Sequence, residues 1–261
     1  MQTSRCKKVK LFLDEQIAKQ YKSASQKIRR MSEAWAESEV YCPNCGGNVS
    51  GHANNKPVAD FYCKNCKEDF ELKSKKGGVD TRIMDGNYRT MLERLSCATN
   101  PSFFFLSYDA QSWSVTNFLI IPKHFFTSEI ILKRPRGLKD RPDYIMCDIN
   151  LESIPSSGKI YYIKDGYEQQ KAGVLQQWQK TEFLREQPQA LRGWTLDVLK
   201  CIDLLKKQEF TLDEVYAFDQ LLSDKHPQNM HVRDKIRQQL QLLHDKGYLD
   251  FVSKGVYRMT P

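Results

Sequence analysis

The 261-residue sequence contains no apolar run approaching the roughly 18 residues that span a bilayer, which excludes a helical membrane protein. It has no internal repeat and no low-complexity tract, which argues against a solenoid. Histidine is scarce, with five in the chain and none in a catalytic pattern. A secretory leader is not expected. Basic residues near the start are followed by a short apolar patch, Leu11 to Leu13, and then at once by acids. The expected location is therefore cytoplasmic. In that setting the eight cysteines are not a disulfide framework.

Acidic residues are also in deficit. Thirty-two Asp and Glu face 40 Lys and Arg, for a net charge of +8, which suits a polyanionic partner. The excess is unevenly placed. Residues 190–261 hold 11 basic and 10 acidic residues, leaving 29 and 22 before them. The hydrophobic share of 40% is that of a globular chain, and the length suits one large domain or two unequal ones.

Four cysteines form two pairs, Cys42-x2-Cys45 and Cys63-x2-Cys66, with 17 residues between the pairs. That spacing predicts a closed, structural Zn²⁺ site with all four positions taken by thiolate. Cys6, Cys97, Cys147 and Cys201 are isolated and read as small buried hydrophobes.

Apolar periodicity predicts a helix over 11–37, with Ser23-Ala-Ser25 as a point of interruption, and a second over 84–97. Phe103 to Tyr108, Val115 to Ile121 and Lys159 to Ile163 have the length and composition of strands. The polar stretch 186–190 reads as a linker, dividing the chain into domains over 1–189 and 190–261. Beyond it the pattern predicts helices from Trp194, from Thr211 with a capping box to Glu214, and over 230–244. A hairpin follows, so the last 70 residues read as a winged helix. In the third of these helices, stepping about 100° per residue puts His231, Asp234, Arg237, Gln238 and Gln241 opposite the apolar face. These polar types can reach bases or phosphates in a major groove, and equally suit a solvated face.

Read as a hairpin whose tip is the second cysteine pair, residues 57–73 set Asp60 opposite Glu71, with Lys73 on the same face two residues on. Two carboxylates can hold Mg²⁺ beside a substrate phosphate, and an adjacent amine can orient or deprotonate the attacking water. A cross-strand ion pair is the plainer alternative. Lys133, Arg134 and Arg136 lie in a basic stretch, 133–141, with Tyr144 behind it. A phosphate-contacting loop with an aromatic wedge or methyl-contacting surface, and a solvated loop with a core tyrosine, both fit.

Asp60-x10-Glu71-Leu-Lys73 is the D-x(n)-E-x-K pattern of the PD-(D/E)XK nucleases. Its surroundings are Tyr41-Cys-Pro-Asn-Cys-Gly, Asn55-Lys-Pro-Val-Ala-Asp-Phe-Tyr-Cys and Phe70-Glu-Leu-Lys-Ser-Lys-Lys-Gly77. With Asn100-Pro-Ser-Phe-Phe-Phe-Leu, Arg192-Gly-Trp-Thr and Lys235-Ile-Arg-Gln-Gln-Leu, they resemble the DpnI-like, Dam-replacing family along nearly the whole chain. The resemblance implies an α+β PD-(D/E)XK core with an inserted four-cysteine zinc site, followed by a C-terminal winged helix. It implies a Mg²⁺-dependent type II endonuclease acting on double-stranded DNA methylated at adenine in GATC. Asp60, Glu71 and Lys73 would be catalytic, with Asp60 and Glu71 holding Mg²⁺ and the paired cysteines holding zinc. A monomer is expected, with no membrane partner. The reading from another class is a non-enzymatic DNA-binding regulator built from the same zinc module and winged helix. Two acids beside the phosphate backbone argue against it, because they repel that backbone unless a metal intervenes.

Overall fold

The computed structural model describes residues 9–52, 59–79, 81–95 and 100–260. Cys6 and Cys97 therefore lie outside the described residues. The chain divides into two units, Met1–Leu151 with Lys159–Trp178, and Glu152–Gly158 with Gln179–Pro261. Among the described residues no helix is long and apolar enough to cross a membrane.

The first unit contains helix α1 (Ala24–Glu39) and strands β1 (Val49–Gly51), β2 (Phe61–Cys63), β3 (Asp69–Lys76) and β4 (Arg82–Asn87). Helix α2 (Tyr88–Leu95) and strands β5 (Ser102–Tyr108), β6 (Val115–Ile121), β7 (Ile131–Lys133) and β8 (Met146–Asn150) follow. Strands β9 (Ile160–Lys164) and β10 (Tyr167–Glu168) complete the strands of this unit, and helix α3 (Lys171–Thr181) begins in it and ends in the second. Seven strands form one sheet in the order β1-β2-β3-β5-β6-β9-β10, and β4-β8-β7 form another. Within the large sheet β3 and β5 run parallel, joined through β4 and α2, and the other pairs are antiparallel.

Every residue of β5 is buried, which accounts for its unbroken apolar run, since both faces of the strand are covered. On one face Phe104 stacks on Phe70 and Phe118, and Trp35 of α1 meets Phe118 edge-on. On the other, Phe103 packs against Phe126 at 4.6 Å. Strand β3 is thus fastened through Phe70 while its alternate residues, Glu71 and Lys73, face away from that core.

Two expectations are corrected. The helix expected over 11–37 is a short 3₁₀ turn, Glu15–Ala18, and then α1, which starts after Ser23. The helix expected over 84–97 is half strand: Met84 belongs to β4 and is 56% exposed, and α2 begins at Tyr88. Met84 falls four residues before Tyr88 and so mimics the helical period.

The second unit contains helix α4 (Gln189–Leu205), strand β11 (Glu209–Thr211) and helices α5 (Leu212–Tyr216), α6 (Asp219–Lys225) and α7 (Val232–Asp245). It ends in the hairpin of β12 (Leu249–Ser253) and β13 (Val256–Met259), and β11 adds a third strand beside β13. Ser156 belongs with this unit because its N–H and hydroxyl both donate to Asp203, at 2.7 Å each. The capping box is present, with Thr211 and Glu214 bonded reciprocally. Helix α4 starts five residues before the expected Trp194, so the polar stretch 186–190 runs into a helix. The fold is α+β, with a large sheet, a four-cysteine cluster and a C-terminal winged helix.

Candidate active site

The four paired cysteines meet in one cluster, with sulfur atoms all within 4.8 Å of one another. The two pairs use the same backbone device. Gly46 and Lys67, each following the second cysteine of its pair, are left-handed at φ +72° and +63°. Each donates its N–H to the carbonyl of the first cysteine, at 2.9 Å to Cys42 and 3.0 Å to Cys63. Tetrahedral zinc with Zn–S near 2.3 Å needs sulfurs about 3.8 Å apart, so the donor set fits that ion. Burial pushes the Cys42 thiol up. Burial also opposes ionisation of Cys63, but the amides of Cys66 and Asn65 outweigh it and bring that thiol to about 7. His52 stands apart from the cluster, 2.9 Å from Asp69 and stacked on Tyr62.

From this cluster the chain leads directly to the carboxylates. The β2–β3 register pairs Phe61 with Phe70, and one further step sets Asp60 against Glu71. Asp60 lies on a bend just outside β2, where its Oδ2 accepts the Leu72 N–H at 2.7 Å. Burial raises its carboxyl, and the neighbouring charges of Glu71 and Glu33 add to the effect. A cation at this point would offset those repulsions, and two carboxylate oxygens suit Mg²⁺. Lys73 Nζ is 2.6 Å from Glu71 Oε1, as the shared face of β3 requires.

Glu71 and Lys73 form part of the wall of an open cavity of about 650 Å³. Two residues there had not been anticipated from the sequence. Arg94, in the last turn of α2, places Nη2 at 2.6 Å from Glu71 Oε2. Asp85, on β4, places Oδ1 at 2.5 Å from Lys73 Nζ. Burial opposes the charge on Lys73, but Glu71 and Asp85 more than compensate, and the ammonium is held above its ordinary value. The signal that could have revealed Asp85 is Gly86 beside it, since a glycine within a strand pattern often marks a bulge.

Tyr144 lines the same cavity, and its hydroxyl approaches Gly86. The rest of the basic stretch divides. Lys133 and Arg136 are exposed, Lys133 lying over the Tyr88 ring. Arg134 is instead engaged: Nε and Nη2 both donate to Asp148, at distances from 2.7 to 3.2 Å.

In the second unit His231, Asp234, Arg237, Gln238 and Gln241 are all exposed, at the start of α7 and along it. Ile236, Gln239, Leu240 and Leu243 form the buried face. Arg237 lies over the Tyr216 ring and 3.6 Å from Asp234. Gln238 accepts from Lys235, and Gln241 donates to Asp245.

Family models match both parts of the chain. The model for the Dam-replacing family matches residues 9–187, and that for the Dam-replacing HTH domain matches residues 190–259. DNA binding follows from the family and from its helix-turn-helix portion. The chain belongs to the Dam-replacing family of methyl-directed restriction endonucleases.

Proposed function

We propose that the protein is a type II restriction endonuclease that hydrolyses double-stranded DNA at GATC sites carrying N6-methyladenine, using Mg²⁺. The observation that carries this reading is the grouping on β3. Glu71 and Lys73 touch at 2.6 Å on a cavity wall, and the Asp60 carboxylate binds the amide of Leu72, the residue between them. Asp60 and Glu71 are the residues that would hold Mg²⁺. The bound ion supplies Lewis acidity toward a phosphate oxygen and lowers the pKa of a water. Lys73, in contact with Glu71 and Asp85, is the amine that orients or deprotonates the attacking water and offsets the charge that builds on phosphorus. Arg94 brings a second cationic group to the same wall.

Cys42, Cys45, Cys63 and Cys66 hold a structural Zn²⁺ that closes the hairpin carrying Asp60 and Glu71. The nuclease domain covers 1–189 and the winged helix 190–261. His231, Asp234, Arg237, Gln238 and Gln241 face DNA from α7, and Lys133, Arg134, Arg136 and Tyr144 face it from the nuclease domain. The enzyme acts as a cytoplasmic monomer. Cleavage of Dam-methylated plasmid with and without Mg²⁺ tests the assignment. Wild type should cut only with the metal, and Asp60→Ala, Glu71→Ala and Lys73→Ala should not cut. Wild-type cutting by Lys73→Ala would remove that residue from the site.

A further inference from the structure

Strand β4 brings a second carboxylate, Asp85, to the cavity wall beside Glu71. The β4–β8 register pairs Asp85 with Cys147 and then Asn87 with Met146, so Gly86 is an extra residue. A bulge of this kind re-aims the side chains around it. Here the Asp85 carboxylate is 2.7 Å from the Gly86 N–H and 2.5 Å from Lys73 Nζ, both through Oδ1. Asp85 is only 7% exposed, and its Oδ2 is buried with no hydrogen-bond partner. A carboxylate so buried needs a counter-charge, and among the described residues Lys73 is its ion-pair partner. Glu71 is differently placed, with Lys73 on Oε1 and Arg94 on Oε2. Two carboxylates therefore share one ammonium, and they approach it from different sheets.

We propose that Asp85 is a positioning residue of the nuclease site: it anchors the Lys73 ammonium from β4, which leaves Glu71 able to turn an oxygen to Mg²⁺. The inference rests on the nuclease reading of Asp60, Glu71 and Lys73. Without the Asp85 charge, Glu71 is the ammonium's remaining partner, and the ammonium then competes with the metal for that carboxylate. Asp85 need not touch DNA or the ion to act in this way.

The test uses the full chain as wild type, Asp85→Asn, Lys73→Ala and the double variant. Three quantities are measured: the single-turnover cleavage rate of methylated duplex in Mg²⁺, the affinity for that duplex in Ca²⁺, and the melting temperature without metal. Asp85→Asn should slow cleavage about 10- to 100-fold, the usual cost of removing an orienting partner, with DNA affinity unchanged. Lys73→Ala leaves Asp85 buried without its cation, whereas Glu71 keeps Arg94. It should therefore melt lower than wild type, and adding Asp85→Asn should recover most of the loss.

Wild-type cleavage by Asp85→Asn would overturn the proposal. So would a melting loss from Asp85→Asn that is the same with Lys73 present or absent, because the two residues would then be uncoupled. If Asp85→Asn alone does not fold, the double variant, which buries neither charge, decides: the proposal requires it to fold. If instead wild type fails to cut, or Lys73→Ala cuts at the wild-type rate, the nuclease reading is what fails. The melting comparison then still reports whether Asp85 holds Lys73.

Discussion

A polar contact inside an apolar core joins helix α7 to α4. Thr195 and Gln239 are both fully buried, and the Thr195 hydroxyl donates to Gln239 Oε1 at 2.7 Å. Replacing Thr195 by Val keeps the shape and removes the hydroxyl. Gln239 Oε1 then loses this partner, and Nε2 is already buried without one. An orphaned buried polar group costs about 1–3 kcal/mol. At about 4–8 °C per kcal/mol for a unit of roughly 100 residues, the winged-helix transition should fall by about 10 °C. Calorimetry of the full chain measures it. Adding Gln239→Leu removes the orphaned amide, and the double variant should recover most of the loss, because removing both partners is nearly neutral. A single variant that melts like wild type, or a double variant as unstable as the single one, would refute the argument. DNA affinity should follow the same order, since α7 carries the side chains proposed to read bases.

The other predictions concern metal, charge and readout. Stripping zinc, or replacing Cys63 by Ser, should lower both melting temperature and activity, because the cluster closes the hairpin that carries Asp60 and Glu71; fully active, folded protein with no bound zinc would contradict this. Burial raises the folded-state pKa of Asp60. The stability tied to its proton is then present at low pH and lost as pH rises through the folded value. Metal-free Asp60→Asn should accordingly melt at or above wild type at neutral pH, with the difference vanishing in acid, while cleavage is abolished; a lower melting point at neutral pH would reverse the sign. Arg237→Ala and Gln238→Ala should each cost about 1–3 kcal/mol of discrimination between cognate and mismatched sites. Competition binding measures this, and equal loss on all sequences would make them phosphate contacts instead.

The chemistry was legible in the sequence wherever spacing alone fixes geometry. Paired cysteines separated by two residues must turn tightly, and residues 71 and 73 of a strand must share a face, so the cluster and the Glu71–Lys73 contact followed directly. The buried helices of the winged helix were legible for the same reason, through Ile236, Leu240 and Leu243. What escaped depends on contacts distant in sequence. Asp85 reaches Lys73 only because β4 joins a different sheet and bulges at Gly86. Gly86 is the one local trace of that bulge, and Met84 at a helical interval from Tyr88 pointed the wrong way. Arg94 meets Glu71 across 23 residues, and Arg134, read as a loop cation, is claimed by Asp148 on the neighbouring strand.

Under the function proposed above, cleavage depends on methylation of adenine. One buried methyl is worth about 0.8 kcal/mol, and the two in a palindrome about 1.6, against the roughly 1.4 that a tenfold preference requires. Apolar contact alone therefore gives little more than tenfold. Larger discrimination needs either assembly of the cavity around Tyr144 or a second reading by α7. The most direct measurement is the initial cleavage rate, in Mg²⁺, of three otherwise identical duplexes with one GATC site: methylated on both strands, on one strand, and on neither. The account predicts fast cutting of the first, slower cutting of the second and almost none of the third. Equal rates on all three would contradict it.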